Sequence, residues 1–495
     1  MVEVIIVVAA LVLAGYLLYR KINATVALLG VGVVLMIAAW ALGHGAQTSV
    51  KAPSTGNGLL DQFAFVAAMF SDRAATIGMI IMVLFGFSAY MTKIGANAAT
   101  VDLLTRPLLR LKPSYRYLLV PLTFWVGNLM SLVVPSASSL AVLLMTTLFP
   151  TMVAAGLSRL TAAAVIATTA TIMPTPLGAD NVAAAAKLGL DLNQYTWAMH
   201  AKISIPVLVL IGVVHYFWQR FLDSRDAQVL ETAQATASTS GHASGAGVAT
   251  LTGGAPASTT RPSTGGSGTG ASGDARTAPA WYCVFPLLPL VLVLVPWLLD
   301  KWGGPHLSIS LLPVVLICLT VTILVDMIVG RLSGRRALDA LDDAKTFVTG
   351  MGDGMASVVG LLIAAAVLVE GIQKLGVIDL LIRTAENMPG GAWIVIGVFV
   401  VMMLVLTLLT GGVAPFYSFV EAVPSVASGL AISGAWLTLP LQFIGNLMRA
   451  CSPVAAVVLI VASSVGTSPL HLIKRTSVPM IVGLVASLTM TWILI

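Results

Sequence analysis

Residues 440–461 read PLQFIGNLMRACSPVAAVVLIV, a run that is apolar almost from end to end. Arg449 stands near its middle, and Ser452 and Pro453 follow shortly after it. A central arginine costs roughly 2.5–3.5 kcal/mol to insert into a bilayer, so a membrane segment that keeps one needs a partner for it. Pro453 removes a backbone donor and frees a carbonyl, so the helix is predicted to open just before it, from Ala450 to Ser452.

The whole chain has the composition of an integral membrane protein. Of its 495 residues, 58% are hydrophobic and only 9% are charged, and the mean hydropathy is +0.97. That leaves too little polar surface to cover a soluble globule of this size. The apolar runs are roughly 17–23 residues long, the length of helices that cross a hydrocarbon core of about 30 Å. We therefore predict an all-α polytopic membrane protein.

A polar segment divides the chain into two halves. Residues 223–279 are dominated by Ser, Thr, Gly and Ala. Such a composition buries too little apolar area to offset the entropy of ordering it. The sequence therefore predicts a first repeat over residues 1–222, a disordered linker over 223–279, and a second repeat over 280–495.

The two halves share an order of features. Each has about five apolar runs long enough to cross a membrane, and each has one pair of apolar arms that meet at a tip of small and polar residues. The first tip is PSASS (135–139) and the second is TGGVA (410–414). Each half then has a long apolar stretch interrupted by proline, TIMPTPLGADN (171–181) and GNLMRACSPVAAV (445–457). This order predicts an internal repeat.

The positive charges predict that the repeats are inverted. If the N-terminus lies outside, most of the 26 Lys and Arg residues fall in cytoplasmic loops and in the linker. Both termini are then periplasmic, and the two halves have opposite orientations. Charge counting does not separate a re-entrant hairpin from two full crossings for each arm pair. The hairpin is favoured, because irregular backbone at membrane depth is tolerated only inside protein or along a wet cavity.

Paired discontinuous helices in inverted halves point to a substrate site near the bilayer midplane. There the Arg449 guanidinium suits a forked contact with a substrate carboxylate. The alternative is that carbonyls at the break, or Asp180 or Glu421, satisfy it. The tips supply small residues that let backbone approach a ligand, and hydroxyls that bind it, although small residues also serve tight helix packing.

The candidate residues form two groups. The candidates for substrate binding are Arg449, Asn446, Ser452, Thr175, Ser136, Ser138, Ser139, Thr410, Gly411 and Gly412. The candidates for a coupling ion or proton are Asp180, Asn181 and Glu421. For Asp180 an ion pair or a helix N-cap is an equal alternative.

Other classes of protein find no support in the sequence. It has no phosphate-binding glycine loop, no histidine pair at helical spacing and no nucleophile motif. We therefore expect neither an enzyme nor a metal site. The basic residues are explained by membrane topology, so no nucleic-acid partner is expected. His200 and His215 are expected to be solvated at helix ends, and Asp326 and Glu370 to be interfacial.

Four stretches together resemble the DcuC family of anaerobic C4-dicarboxylate carriers, within the wider ion transporter superfamily. They are GNLMRACSPV (445–454), APFYSFVEAVP (414–424), VLLMTTLFPTMV (142–153) and KRTSVPMIVGLV (474–485). Asn446, Arg449, Ser452 and Pro453 match the family's Asn-Leu-x-Arg-x-x-Ser-Pro-Val run, and Glu421 falls in its second hairpin. The resemblance spans nearly the whole chain outside the linker.

The resemblance implies a bacterial inner-membrane secondary carrier that moves succinate, fumarate or malate, mainly in succinate efflux. It implies H⁺ coupling, with Na⁺ as the other candidate ion, no further cofactor, and a homodimer with two hairpins and elevator-like motion. The family pattern has Ser-Gly-Asn at the second tip, where this chain has Gly411, Gly412 and Val413. A carrier of another small carboxylate is therefore an alternative. A small-anion channel is a further one, which needs a continuous lined pore.

Overall fold

The structure, a computed structural model, describes residues 2–20, 22–44, 50–106, 113–132, 134, 136–240, 278–303 and 310–495. Within these ranges the regular structure is entirely helical. Ten of the described helical stretches are long and apolar enough to cross a membrane. The prediction of an all-α polytopic membrane protein is thereby confirmed.

The described part of the first half contains, in chain order, α1 (Val2–Tyr19), α2 (Ala24–Ala41), α3 (Gly58–Arg73), α4 (Met79–Lys93), α5 (Ala96–Thr105), α6 (Leu119–Met130), α7 (Ala137–Ala154), α8 (Arg159–Ala167), α9 (Ala179–Leu188) and α10 (Ala201–Ser240). The second half contains α11 (Leu288–Lys301), α12 (Leu311–Leu332), α13 (Ala337–Asp343), α14 (Lys345–Gly354), α15 (Gly360–Lys374), α16 (Val377–Glu386), α17 (Gly391–Thr410), α18 (Ala414–Gly429), α19 (Ala435–Met448), α20 (Ala456–Val465) and α21 (Pro469–Leu494).

A long helix with a π-helical segment occurs at the same place in each half. The segment Ala74–Gly78 joins α3 to α4, and Met355–Val359 joins α14 to α15. Each long helix ends at a lysine, and two residues later a glycine in the left-handed conformation precedes a short helix. These glycines are Gly95 (φ 79°) and Gly376 (φ 70°). Glycine adopts this conformation without the steric cost of a Cβ, so it ends one helix and redirects the chain into the next.

Each half also contains one helix that is interrupted where the prolines predict it. In the first half α8 ends at Ala167 and α9 begins at Ala179. In the second half α19 ends at Met448, a 3₁₀ turn covers Arg449–Cys451, and α20 begins at Ala456. The residue before a proline is biased away from helical backbone, and Ser452 accordingly is extended, with φ −93° and ψ 127°. Both predicted openings are confirmed.

The arm pairs pack against the interrupted helix of the opposite half. We call α6 and α7 the first arm pair, and α17 and α18 the second. Helix α7 of the first pair packs against α20, and α18 of the second packs against α9. The largest cluster of buried apolar side chains contains residues of both halves. The two halves therefore share one core, with the interrupted helices between the arm pairs.

The first half and the predicted linker do not separate at residue 222. Helix α10 continues to Ser240, into the segment whose composition predicts disorder. Residues 241–277 of that segment lie outside the described residues.

The second tip lies directly against the break between α19 and α20. Gly411 has φ 76°, in the left-handed region, and its amide donates to the Thr407 carbonyl at 2.8 Å. A Cβ on Gly411 would stand 2.6 Å from the backbone N and Cα of Ala455. On the neighbouring Gly412 the nearest atom would be 3.9 Å away, the Ala414 nitrogen. The second tip can contact the backbone of the break at residue 411 only because glycine has no side chain there.

We expect Gly411→Ala to lower the stability of the purified protein, because the left-handed backbone alone costs about 1–3 kcal/mol without glycine and the new methyl group meets backbone. Gly412→Ala is the matched control and should unfold within a degree or two of the wild type. Thermal unfolding in detergent measures both. Equal midpoints for the two variants would contradict the close contact between the tip and the break.

Candidate substrate-binding site

Asp180 joins the two interrupted helices. It lies in the first turn of α9, and its Oδ2 accepts hydrogen bonds from Nε2 of Gln442 at 2.9 Å and from Nδ2 of Asn446 at 2.7 Å. Its Oδ1 accepts from the backbone amide of Asn181 at 3.1 Å. Both side-chain donors are on α19. Because the acceptor is a carboxylate, these bonds are stronger than bonds between neutral groups, and they connect the first half to the second.

A second layer of hydrogen bonds fixes the amides around Asp180. Asn181 donates from Nδ2 to the Thr175 carbonyl at 2.8 Å and accepts at Oδ1 from Gln442 at 2.7 Å. The Tyr195 hydroxyl donates to Oε1 of Gln442 at 2.5 Å. Gln442, Asn181 and Tyr195 are each no more than 1% exposed. The network is therefore buried, and every amide in it has a defined orientation.

Arg449 differs from these residues because its guanidinium has no partner. Among the residues that the structure describes, it forms neither a hydrogen bond nor an ion pair. It is partly exposed, although its neighbours Met448 and Ala450 are buried. Asp180 and Tyr417 are the groups with which it interacts electrostatically. An unpaired cation in the interior of a helical bundle is costly unless something binds it.

Within the described residues, no hydrogen bond or ion pair supports the alternatives in which the protein itself satisfies Arg449. Asp180 is directed to the amides of Gln442 and Asn446. Glu421 is paired with other cations. The carbonyl of Ala450 accepts instead from the Thr476 hydroxyl at 2.7 Å. The donors of the guanidinium remain available to a ligand.

The breaks are held open by the first helix of each arm pair. In the second half, the Ser452 hydroxyl donates to the Leu408 carbonyl of α17 at 2.7 Å. In the first half, Oδ1 of Asn128 on α6 accepts from both the amide and the hydroxyl of Thr171, at 3.0 and 2.9 Å. These bonds pair polar groups at the interrupted backbone that would otherwise be buried without partners.

The remaining substrate-binding candidates are distributed over several places. Ser452 is fully buried and bonded to α17, and the Thr175 hydroxyl accepts from the Leu177 amide at 3.1 Å within its own turn. Thr410 donates to the Leu406 carbonyl at 2.8 Å, and its tip touches the second break. At the first tip, Ser136 caps α7, and within the described residues neither it, Ser138 nor Ser139 bonds to Arg449 or Asp180. Their roles in binding remain predictions.

Glu421 lies in a separate buried cluster of charges. Its Oε2 is 2.5 Å from Nζ of Lys187 on α9 and 3.3 Å from Nη2 of Arg73, the last residue of α3. Arg73 also pairs with Asp72 at 2.6 Å. The interpretation of Glu421 as the partner of Arg449 is therefore wrong, because two cations from distant parts of the chain already neutralise it. Its role as a coupling group stays a prediction.

Two histidines expected to be solvated and two carboxylates expected at the membrane interface are buried inside the protein. His200 contacts the Ser204 hydroxyl at 3.1 Å and packs edge-on against a phenylalanine, and His215 lies 3.0 Å from the Thr168 hydroxyl. Asp326 accepts from a buried tyrosine hydroxyl, and Glu370 is only 3% exposed. The expectation that His200 and His215 are solvated was wrong, because position along a helix does not show which neighbouring helix covers the side chain. The interfacial position of Asp326 and Glu370 stays a prediction.

Sequence inspection missed Gln442 and Tyr195 as members of the site. Gln442 lies seven residues before Arg449, within the same apolar run, and is the only amide there besides Asn446. An amide in a membrane-buried stretch is itself a signal, because it needs partners in the bundle. Tyr195 lies in the π-helical segment Gln194–His200, a form that is frequent at functional sites.

These features together define a polytopic membrane carrier. Two interrupted helices meet at a buried polar network, irregular backbone lies against protein, and Arg449 at the second break forms no hydrogen bond or ion pair with the described residues. The family follows from comparison with known proteins.

The chain belongs to the DcuC family, described as C4-dicarboxylate anaerobic carrier, whose model matches residues 2–252 and 267–495. This is a family of carriers and not of enzymes. The chain is 34% identical over 498 residues to the anaerobic C4-dicarboxylate transporter DcuC of Escherichia coli K12, covering 100% of this chain and 96% of the relative. It is 33% identical over 503 residues to the probable anaerobic C4-dicarboxylate transporter DcuC of Vibrio cholerae, covering 100% and 98%. The solved structure of Neisseria gonorrhoeae MtrF, from a class of antimetabolite efflux pumps, covers 95% of each chain with a TM-score of 0.47 and 13% identity.

We expect Glu421→Gln to destabilise the protein by about 3–5 kcal/mol, because it leaves Lys187 and Arg73 buried without their shared counter-charge. Lys187→Met in the same chain should recover part of that loss by removing one of the uncompensated cations. Thermal unfolding of the three proteins in detergent provides the measurement. A single variant as stable as the wild type would show that the ion pairs contribute nothing.

Proposed function

We propose that the protein is a secondary carrier of C4-dicarboxylates such as succinate, fumarate and malate, and that Arg449 binds one substrate carboxylate. The observation that carries this proposal is the guanidinium at the break between α19 and α20, which no described residue pairs with. The names of the relatives support the class of substrate. A planar guanidinium can donate two parallel hydrogen bonds to a carboxylate, which a lysine ammonium cannot do in the same geometry.

The surrounding structure supports binding of an anion rather than a neutral solute. The carboxylate of Asp180 accepts hydrogen bonds from amide donors and does not form a direct ion pair with Arg449. Helix α20 begins at Ala456 without a side-chain cap, so its first amides and its positive dipole end lie close to the break. A dicarboxylate that binds here loses hydrogen bonds to water and gains hydrogen bonds from donors that the protein already holds in place.

We propose that Asp180 is the proton-coupling group. A bound dicarboxylate brings two negative charges next to Arg449, and an ionised Asp180 adds a third against a single cation. Protonation of Asp180 reduces that imbalance, so proton and substrate binding favour one another. The other titratable groups near Asp180 are Tyr195, His200 and Tyr417. Three N–H donors occupy its oxygens, which leaves few of the oxygen ligands that Na⁺ needs, and H⁺ is therefore the coupling ion that we propose.

The architecture that we propose for transport completes this scheme. The matching order of elements in α1–α10 and α11–α21 supports two inverted repeats, and the contacts of each arm pair with an interrupted helix of the opposite half support re-entrant hairpins. Alternating access then moves the hairpins and interrupted helices as a unit, in a homodimer within the bacterial inner membrane. The distribution of Lys and Arg supports periplasmic termini and a cytoplasmic linker.

Replacing Arg449 tests the proposed site. In proteoliposomes loaded with succinate, Arg449→Ala should reduce exchange of external labelled succinate by at least ~100-fold, because a buried carboxylate loses its counter-charge. Arg449→Lys should retain a small fraction of the wild-type exchange rate, since lysine keeps the charge but not the forked geometry of the guanidinium. Arg383→Ala, which changes an exposed arginine, is the control and should exchange at the wild-type rate.

Size-exclusion chromatography establishes that the variants are folded. Wild-type exchange in Arg449→Ala would remove that residue from the site. Wild-type protein that carries succinate without trans-stimulation by internal substrate would instead indicate a channel.

Replacing Asp180 tests the coupling. Asp180→Asn should still exchange succinate, but a pH gradient should no longer drive its accumulation, because the side chain cannot gain or lose a proton. Asp353→Asn changes an exposed carboxylate and should accumulate succinate like the wild type. Accumulation by Asp180→Asn that follows the pH gradient undiminished would assign the coupling to another group.

A further inference from the structure

Gln442 occupies a position that its neighbours determine completely. Its Nε2 donates to Asp180 at 2.9 Å and to Asn181 at 2.7 Å, and its Oε1 accepts from the Tyr195 hydroxyl. Asn181 cannot rotate its own amide, because its Nδ2 donates to the Thr175 carbonyl at 2.8 Å. A rotated Gln442 amide would place an oxygen against two oxygen acceptors. The orientation is thus specified by the network itself.

Gln442 helps to hold the carboxylate of Asp180 in place. Gln442 supplies one of the two side-chain donors that hold Oδ2, and Asn446 supplies the other. Arg449 has no partner among the described residues, and it interacts with Asp180 electrostatically but forms no ion pair with it. A carboxylate that loses a donor in a buried site gains most by moving to such a cation. The guanidinium would then be occupied by the protein's own carboxylate.

We propose that Gln442 is a positioning residue that keeps Asp180 away from Arg449, so that the guanidinium stays free for the substrate carboxylate. The proposal rests on the function proposed above and adds a determinant of substrate affinity outside the contact with substrate. Asp180 and a dicarboxylate compete for one cation, and the amide of Gln442 decides the competition in favour of the substrate. Tyr195 supports this role by holding the amide oxygen.

The test measures succinate binding to the purified full-length protein in detergent by isothermal titration calorimetry. Gln442→Met keeps the length of the side chain and removes both polar groups. It should weaken succinate binding at least ~tenfold. The double variant Gln442→Met, Asp180→Asn should recover most of that loss, because asparagine carries no charge to pair with Arg449. Gln373→Met removes a glutamine that bridges α15 and α18 through Ser425, away from the site, and should bind like the wild type.

Each outcome separates the positioning role from the alternatives. Unchanged binding in Gln442→Met overturns the proposal, and so does weakened binding that Asp180→Asn does not restore, since that pattern indicates a packing role alone. If Gln442→Met does not give folded protein, Tyr195→Phe replaces it, with an expected weakening of about two- to fivefold that Asp180→Asn also reverses. Binding by Tyr195→Phe equal to the wild type then overturns the proposal. A wild-type protein that binds no dicarboxylate contradicts the proposed function itself.

Discussion

The structure depends on one constraint, a guanidinium that has no partner in the part of the chain that the structure describes, inside a chain made almost entirely of apolar helices. The backbone around Arg449 departs from the α-helix in a 3₁₀ turn, and its side chain is partly exposed. A free guanidinium also requires that the closest carboxylate be engaged elsewhere, and Asp180 is engaged by Gln442 and Asn446. The site is thus defined as much by where Asp180 is held as by where Arg449 lies. Both requirements involve residues from the two halves of the chain, so neither half contains the site alone.

The fold supports this arrangement by pairing the polar groups that the interruptions expose. Ser452 bonds to one arm of the second pair, and Asn128 on the first pair bonds to the interrupted segment of the first half. The second tip reaches the break because Gly411 has no side chain. Next to these contacts, Glu421 connects α18 to α9 and α3 through ion pairs with Lys187 and Arg73. The arm pairs and the interrupted helices are therefore connected by specific bonds rather than by apolar packing alone.

Much of the fold could be predicted from the sequence, because a membrane limits the structures that can span it. The lengths of the apolar runs predicted the membrane helices, and Pro174, Pro176 and Pro453 predicted where two of them are interrupted. The free-energy cost of a buried charge identified Arg449 as a candidate site residue. The partners of the polar residues could not be predicted. Gln442 meets Asp180 across 262 positions and Glu421 meets Arg73 across 348, and the sequence carries no periodic signal for contacts of that separation. The burial of His200 and His215 was missed for the same reason, since neighbouring helices cover them.

We propose that the protein keeps Arg449 free in order to bind a carboxylate of the substrate. The most direct measurement is an electron cryomicroscopy structure of the purified protein with succinate. We expect density for the ligand beside the break between α19 and α20, with a carboxylate at hydrogen-bond distance, about 2.7–2.9 Å, from the Arg449 guanidinium and with Asp180 still bonded to Gln442. Succinate bound elsewhere, with Arg449 paired to Asp180, would contradict it.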